Sequence, residues 1–209
     1  MLDHLFALPL SWQPSGAQVQ QLEQLYQLVI EGNKTQNLTR ITAVADFGEK
    51  HIWDSLRGIG SVWSLSKLKV LDIGTGAGFP GLPIAIAQPS WQVTLLDSTQ
   101  KKIRFVEQAI QALGLENAIA AVGRAEQHQE RYDLVVVRAV ASASVCAGYS
   151  LPCLIKGGRA ILYRGGWTAA EQQELTQVSD RLAGVIEQVE QFYTPLSQGL
   201  RHLVILRKL

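Results

Sequence analysis

Cysteine is nearly absent from this chain of 209 residues, where Cys146 and Cys153 are the only two. A disulfide framework is thereby excluded. Seven positions apart on one helical pattern, the two thiols read as core residues sharing a face in a reducing compartment. An excess of charge of one sign is also missing. Nineteen Lys and Arg against 18 Asp and Glu leave a formal net charge of +1, and residues 1 to 70 carry six of each sign. Bulk electrostatics therefore argues for no particular partner, and only a local basic cluster can. No apolar run approaches the ~20 residues that cross a bilayer. Met1-Leu2-Asp3-His4 lacks the cationic start of a signal peptide, so a cytoplasmic protein without a membrane partner is expected. The four histidines, His4, His51, His128 and His202, lack ligand spacing, and no metal is expected. Repeats and low-complexity tracts are absent. Nothing calls for a stable protein partner, and a monomer is expected.

What is present is enough apolar side chain, 47% of residues, for a sizeable core in one domain with an extension. From Ala17 to about Lys34, Val19, Leu22, Leu25, Tyr26 and Val29 recur at helical spacing after Pro14-Ser15, and Phe47, Ile52, Leu56 and Ile59 repeat the pattern. Asn37-Leu38-Thr39 between them reads as a cap and turn. Residues 1 to 66 are thus a helical extension, and 67 to 209 the principal domain. There the chain alternates. Strands are expected at 69 to 73, 92 to 97, 118 to 122, 133 to 138, 159 to 163, 185 to 193 and 202 to 207, with helices near 81 to 87, 99 to 113, 143 to 155 and 168 to 181. Apolar runs such as Leu134-Val135-Val136-Val137 suit a parallel sheet covered on both faces. The last two strands are separated only by Thr194 to Leu200, too short for a parallel crossover, so they should pair antiparallel. The expected fold is α/β, mostly parallel and Rossmann-like, with one antiparallel C-terminal strand.

The chain is organised around Val70 to Gly81. Val70, Leu71 and Ile73 form a buried strand. Gly74, Gly76 and Gly78 then permit positive φ and close approach of a ligand to bare main chain, and Pro80 fits the first helical position. A dinucleotide site would read G-x-G-x-x-G. This loop has a different spacing and Asp72 two residues ahead of it, an anion that disfavours a pyrophosphate and suits a cationic sulfonium or ammonium ligand. Its spacing resembles the first motif of class I S-adenosylmethionine-dependent methyltransferases.

Asp97, with Ser98 at the end of the second strand, can accept ribose hydroxyls or cap the next helix. Lys101, Lys102 and Arg104 oppose the dipole of that helix start. Either Asp97 and solvent balance them, or RNA phosphate does, together with Arg124 after the third strand and Arg138 after the fourth. Gly123-Arg124-Ala125-Glu126 offers main chain to an adenine edge. Arg138, so near a core, needs a carboxylate or a ligand. His51, Asp54 and Ser55 have the residue types of a catalytic triad but fall within one helical turn, so they are structural or line the site.

Taken together, Asn37-Leu38-Thr39, His51-Ile52-Trp53-Asp54-Ser55-Leu56, the run Asp72 to Pro83 with Gly-Phe-Pro-Gly-Leu-Pro, Asp97-Ser98 with Lys101, Gly123 to Glu126, and Arg138-Ala139-Val140-Ala141 resemble the GidB/RsmG family over nearly the whole chain. These are bacterial methyltransferases of a 16S rRNA guanine at N7. The resemblance implies S-adenosylmethionine as cofactor, with S-adenosylhomocysteine as product and no metal. Its contacts would fall at Asp72, Gly74, Gly76, Gly78, Phe79, Asp97, Ser98, Ala125, Glu126 and Arg138. Arg138 is the expected catalytic residue. Lys101, Lys102, Arg124, Arg164 and Arg201 are the expected RNA contacts, and 16S rRNA or the small-ribosomal-subunit particle the expected partner. Lys50-His51, Lys101-Lys102 and Arg164-Gly165 stand where the family usually has Arg-His, Lys-Arg and Lys-Gly. Charge is kept, but the bidentate geometry differs. Other readings of the glycine turn are a methyltransferase with another substrate, or an NAD-dependent oxidoreductase or nucleotide-binding module.

Overall fold

Ser15 opens the first helix by a reciprocal cap. Its Oγ accepts from the Gln18 amide, and Gln18 Oε1 accepts from Ser15 N, which satisfies two otherwise orphaned donors. The helix, α1 (Gly16–Gln36), ends at Asn37 in the left-handed conformation and buries Leu22, Leu25 and Val29. The computed structural model describes residues 12–209, so His4 and the Met1 to His4 start lie outside the described residues. A second helical stretch runs through α2 (Val44–Phe47), a π-helical segment (Gly48–Trp53) and α3 (Asp54–Gly58). The wider π turn carries Lys50 and His51 toward the site, and such turns commonly mark functional positions.

Seven strands, β1 (Lys69–Ile73), β2 (Gln92–Asp97), β3 (Ala118–Val122), β4 (Tyr132–Arg138), β5 (Leu154–Arg164), β6 (Gly184–Tyr193) and β7 (Leu200–Lys208), form one sheet of order β3-β2-β1-β4-β5-β7-β6. β1 to β5 pair parallel, while β7 runs antiparallel to both β5 and β6. α4 (Gly81–Ala87), α5 (Gln100–Leu113), α6 (Ala143–Ser150) and α7 (Ala169–Arg181) cover the two faces. Alternation along β1 and β4 divides the core. Val70, Leu134 and Val136 join the cluster that also takes Leu22, Leu25, Phe47, Ile52 and Leu56 from the N-terminal helices. Leu71, Ile73, Val135 and Val137 pack against Ala143, Ala147 and Leu175 on the other face. From β1 the chain steps outward to β3 and then crosses back to β4, which opens a crevice between the carboxyl ends of β1 and β4.

Three local expectations are corrected. The sixth helix stops at Ser150, Cys153 lies in a separate 3-10 turn (Leu151–Cys153), and β5 begins at Leu154, so the two buried thiols do not share a helix. Lys156, Gly157 and Gly158 hid the start of that strand, because they carry no strand-like apolar signal and the first two are exposed. Pro80 is the N-cap of α4 and follows a cis Phe79–Pro80 bond, so Gly81 takes the first helical position.

The β6–β7 turn is fixed from outside the hairpin. Glu49 of the π segment is buried, and its carboxylate accepts from Leu196 N at 2.5 Å, Ser197 N at 2.9 Å and Ser197 Oγ at 2.5 Å. Glu49→Ala strands those donors, at a cost of about 1 to 3 kcal/mol for each that stays buried. A lower melting temperature is expected, together with faster hydrogen exchange at Leu196 and Ser197. Unchanged exchange there would show that the turn holds itself.

Candidate active site

The glycine turn is held closed by one carboxylate. Asp72 has no exposed surface, and its Oδ2 accepts from Thr75 Oγ1 at 2.5 Å and from Gly81 N at 2.8 Å, joining the beginning of the turn to the first residue of α4. A Cβ on Gly81 would lie 2.8 Å from the same oxygen and 2.7 Å from Leu95, so only glycine lets the helix start come this close. Asp72 Oδ1 has no hydrogen-bond partner, and burial pushes the carboxyl up to about 6. The structure thus places Asp72 behind the turn, where it shapes the loop, and not on a cavity wall.

In front of the turn lies a cavity of about 310 Å³, lined by Gly74, Asp97, Ser98, Lys102, Arg124, Ala125 and Glu126 among others. Asp97 Oδ2 accepts from Gly76 N at 3.0 Å and Oδ1 from Thr99 N at 2.8 Å, while Lys102 Nζ stands 3.6 Å away. Asp97 thus braces the glycine loop and the residue that precedes α5, and it still faces the cavity. Gly74 sits at φ +69°, and a Cβ there would come within 2.5 Å of Val140. Gly76 and Gly78 also have positive φ but shape the loop without lining this cavity. Thr99 and Tyr149 also line it and belong to none of the quoted motifs, whereas Val140 lies in Arg138-Ala139-Val140-Ala141.

Next to it is a second cavity of about 480 Å³, which shares Ala139 with the first. Lys50, His51, Asp54, Arg138, Tyr163, Arg164, Arg201 and His202 line it. Arg138 leaves β4 on the same face as Leu134 and Val136, toward the N-terminal helices. There Nη1 donates to the Lys50 carbonyl at 2.7 Å and lies 3.3 Å from Asp54 Oδ2, and Nη2 lies 3.2 Å from His51 Nδ1. The carboxylate partner that Arg138 required is thus Asp54, and the guanidinium opens on the second cavity. Burial pushes Asp54 up, while Arg138 and Arg201 pull it back.

His51 is not a proton shuttle. Burial first, then Arg138 and Lys50, depress it from 6.5 to about 3, so the ring is neutral. With Arg138 donating to Nδ1, the ring proton is assigned to Nε2, which faces Thr39 Oγ1 at 3.0 Å. Phe79 stacks on this imidazole, with centroids 4.3 Å apart and planes 12° from parallel, and Arg138 lies over the same phenyl ring at 5.8 Å. Phe79 is consequently a buried floor under His51 and Arg138 and lines neither cavity.

The basic residues divide between the two mouths. Lys102 and Arg124 border the first cavity. Arg164, which donates to the Ala141 carbonyl and pairs with Glu171, borders the second together with Arg201. Lys101 stands apart, its Nζ donating to Thr35 O at the last turn of α1. Among the described residues no group of His, Cys, Asp and Glu is placed to hold a metal ion, and no helix is long and apolar enough to cross a membrane.

A parallel sheet closed by an antiparallel C-terminal strand, with its glycine turn and acidic β2 end at the switch point, is the class I S-adenosylmethionine-dependent methyltransferase fold. Solved structures agree. A SAM-dependent methyltransferase from Methanosarcina mazei has a TM-score of 0.57 at 17% identity over 71% of this chain and 96% of its own. M. jannaschii TYW2, solved in complex with AdoMet, has a TM-score of 0.58 at 13% identity over 74% of each chain. The family model for rRNA small subunit methyltransferase G matches residues 18–204, and the chain belongs to that family. Ribosomal RNA small subunit methyltransferase G of Gloeobacter violaceus is 52% identical over 205 residues, covering 95% of this chain and 82% of its own. The protein of the same name from Microcystis aeruginosa is 48% identical over 223 residues, covering 100% and 99%.

Two buried groups make opposite demands on pH. Asp72, raised from 3.8 to about 6, contributes stability that is complete below pH 3.8 and lost as the pH rises through 6. His51, lowered from 6.5 to about 3, contributes stability present above pH 6.5 and lost as the pH falls toward 3. Asp72→Asn removes the first and keeps the second. Between pH 3.8 and 6 its melting temperature should therefore rise with pH more steeply than that of the unsubstituted protein; equal slopes would mean that Asp72 does not carry a raised pKa.

Proposed function

We propose that this protein methylates N7 of a guanine in 16S rRNA, using S-adenosylmethionine, and that it acts in the cytoplasm as a monomer on the rRNA or the small-subunit particle. Its family and the rRNA-directed names of its relatives support the substrate class. The observation that carries the rest is the pair of cavities meeting at Ala139, one suited to a nucleoside and the other walled by Arg138 and Asp54.

The first cavity fits an adenosyl nucleoside. A carboxylate offers about four lone-pair sites, and the main-chain donors of Gly76 and Thr99 take only two at Asp97, leaving acceptors for ribose hydroxyls. At Gly74, whose N–H already donates to Leu96 O, the bare main chain lies against Val140 and lines the cavity. When bound, the cofactor supplies an electrophilic methyl, which the free in-plane lone pair of guanine N7 can take without losing a proton. No general base is then needed, in keeping with a neutral His51 whose two nitrogens face Arg138 and Thr39.

The protein's part is positioning, an effect that can supply up to about 7 to 11 kcal/mol. Arg138, braced by Lys50 O, His51 and Asp54, would orient the base, which has to be unstacked from its RNA to enter. Lys102, Arg124, Arg164 and Arg201 flank the two mouths and would hold the RNA backbone.

Mapping the methylated nucleotide on rRNA from cells with and without the protein tests the reading directly. In purified reactions Arg138→Ala should abolish transfer. Arg138→Lys, which keeps a cation opposite Asp54, should lower it at least about tenfold through loss of the fork. Turnover at full rate in both variants would remove Arg138 from the reaction. RNA affinity should fall by roughly 0.7 to 0.9 log units per log unit of salt for each phosphate contacted, and a flat dependence would discard the basic rim.

A further inference from the structure

The second cavity contains a carboxylate whose task in the reaction so far is to brace Arg138. Asp54 lies at the start of α3 with 11% of its side chain exposed, and its one ion pair is to Arg138, whose side chain is 15% exposed. As a fastener for the helix such a pair is a poor choice, because two desolvated charges hold no better than well-packed apolar side chains. Both groups also open on the cavity instead of being sealed into the core. Their placement on the wall is informative. Asp54 Oδ2, an acceptor, lies 3.3 Å from Arg138 Nη1, part of a fork of donors, so the two stand side by side; Ala139, next to Arg138 in the chain, also lines the cofactor cavity.

A guanine edge presents the complementary groups side by side, the N2–H and N1–H donors next to the O6 acceptor, with N7 beyond it. We propose that Asp54 is the residue that selects guanine: its carboxylate accepts from N1–H and N2–H of the unstacked base while Arg138 donates to O6, which leaves N7 at the Ala139 doorway. Adenine would set a lone pair at N1 against the carboxylate and a donor against the guanidinium, so both contacts would be reversed. The cavity, about 480 Å³, has room for a purine. Tyr163, held by the bond from its hydroxyl to Ser55 O at 2.8 Å, and Phe192 supply apolar wall beside the polar pair. The assignment rests on the guanine-N7 reading above and adds to it the means by which the base is chosen.

The test uses ligated 16S rRNA, naked and reconstituted into small subunits, carrying either guanine or inosine at the accepting position. Inosine keeps N7, O6 and N1–H and lacks only the exocyclic amine. The unsubstituted protein should methylate inosine with kcat/KM about 10- to 100-fold lower than guanine, the range for a lost bond to a charged acceptor. In Asp54→Asn the rate on guanine should fall and the preference for guanine over inosine should shrink toward one. Equal rates of the unsubstituted protein on the two RNAs overturn the proposal. So does an Asp54→Asn protein that is slower on both RNAs but keeps the full preference, since Asp54 would then serve only as the partner of Arg138. Melting and binding of S-adenosylhomocysteine report whether the variant is folded; if it is not, the two-RNA comparison with the unsubstituted protein decides alone. No transfer to guanine at all by the unsubstituted protein overturns the methylation reading, and the selection proposal falls with it.

Discussion

A carboxylate without exposed surface, that of Asp72, joins the two ends of the glycine turn, and the rest of the site takes its position from that tie. Its bonds to Thr75 and Gly81 set where α4 begins. They also set where Phe79 lies, and Phe79 is the floor on which His51 and Arg138 rest. One buried anion therefore shapes the wall of the first cavity directly and the floor of the second through a single aromatic ring. The cost is visible in the orphaned Oδ1 and the raised pKa of the group. Strain and unpaired polarity of this kind collect where a site has to be held in shape.

Around that tie the charges are sorted by depth. Two carboxylates, Asp54 and Asp97, stand buried inside the cavities, Asp54 against the half-buried Arg138, whereas Lys102 and Arg124 are exposed at the first mouth. An interior pair selects by hydrogen-bond pattern, because an unmatched polar group is expensive there. Exposed cations attract a polyanion without regard to its sequence, and salt screens them. On the proposed function, choice of base and grip on the backbone would fall to different residues.

Much of this was legible in the sequence. Apolar runs and a short final connection sufficed for a mostly parallel sheet with an antiparallel end, because a buried parallel strand and a six-residue loop each permit few alternatives. Asp97, Gly74, Ala125 and Glu126, singled out from their place after strands, all line the first cavity. The second cavity was not, since it is assembled from the π segment, the end of β4, the end of β5 and the β6–β7 hairpin, which no local spacing links. Phe79 and Asp72 carry clear motif signals but lie behind the site, because a motif reports what a turn needs as readily as what a ligand touches. The one missed cue was in plain view: the step from Phe47 to Ile52 is five residues, where a regular helix repeats after three or four.

That five-residue step marks a part of the chain with no spare length. The segment Gly48–Trp53 holds its extra residue only as a π turn, and Arg138 reaches across to the Lys50 carbonyl inside it. Removing one residue there would close the turn as ordinary α-helix: the flanking helices keep their register, and the bulge that carries Lys50 and His51 is lost. Lys50 and His51 could then no longer share a wall with Asp54. The segment is sensitive to its length as well as to the side chains of Glu49 and His51, even though it lies outside the sheet and outside every glycine motif.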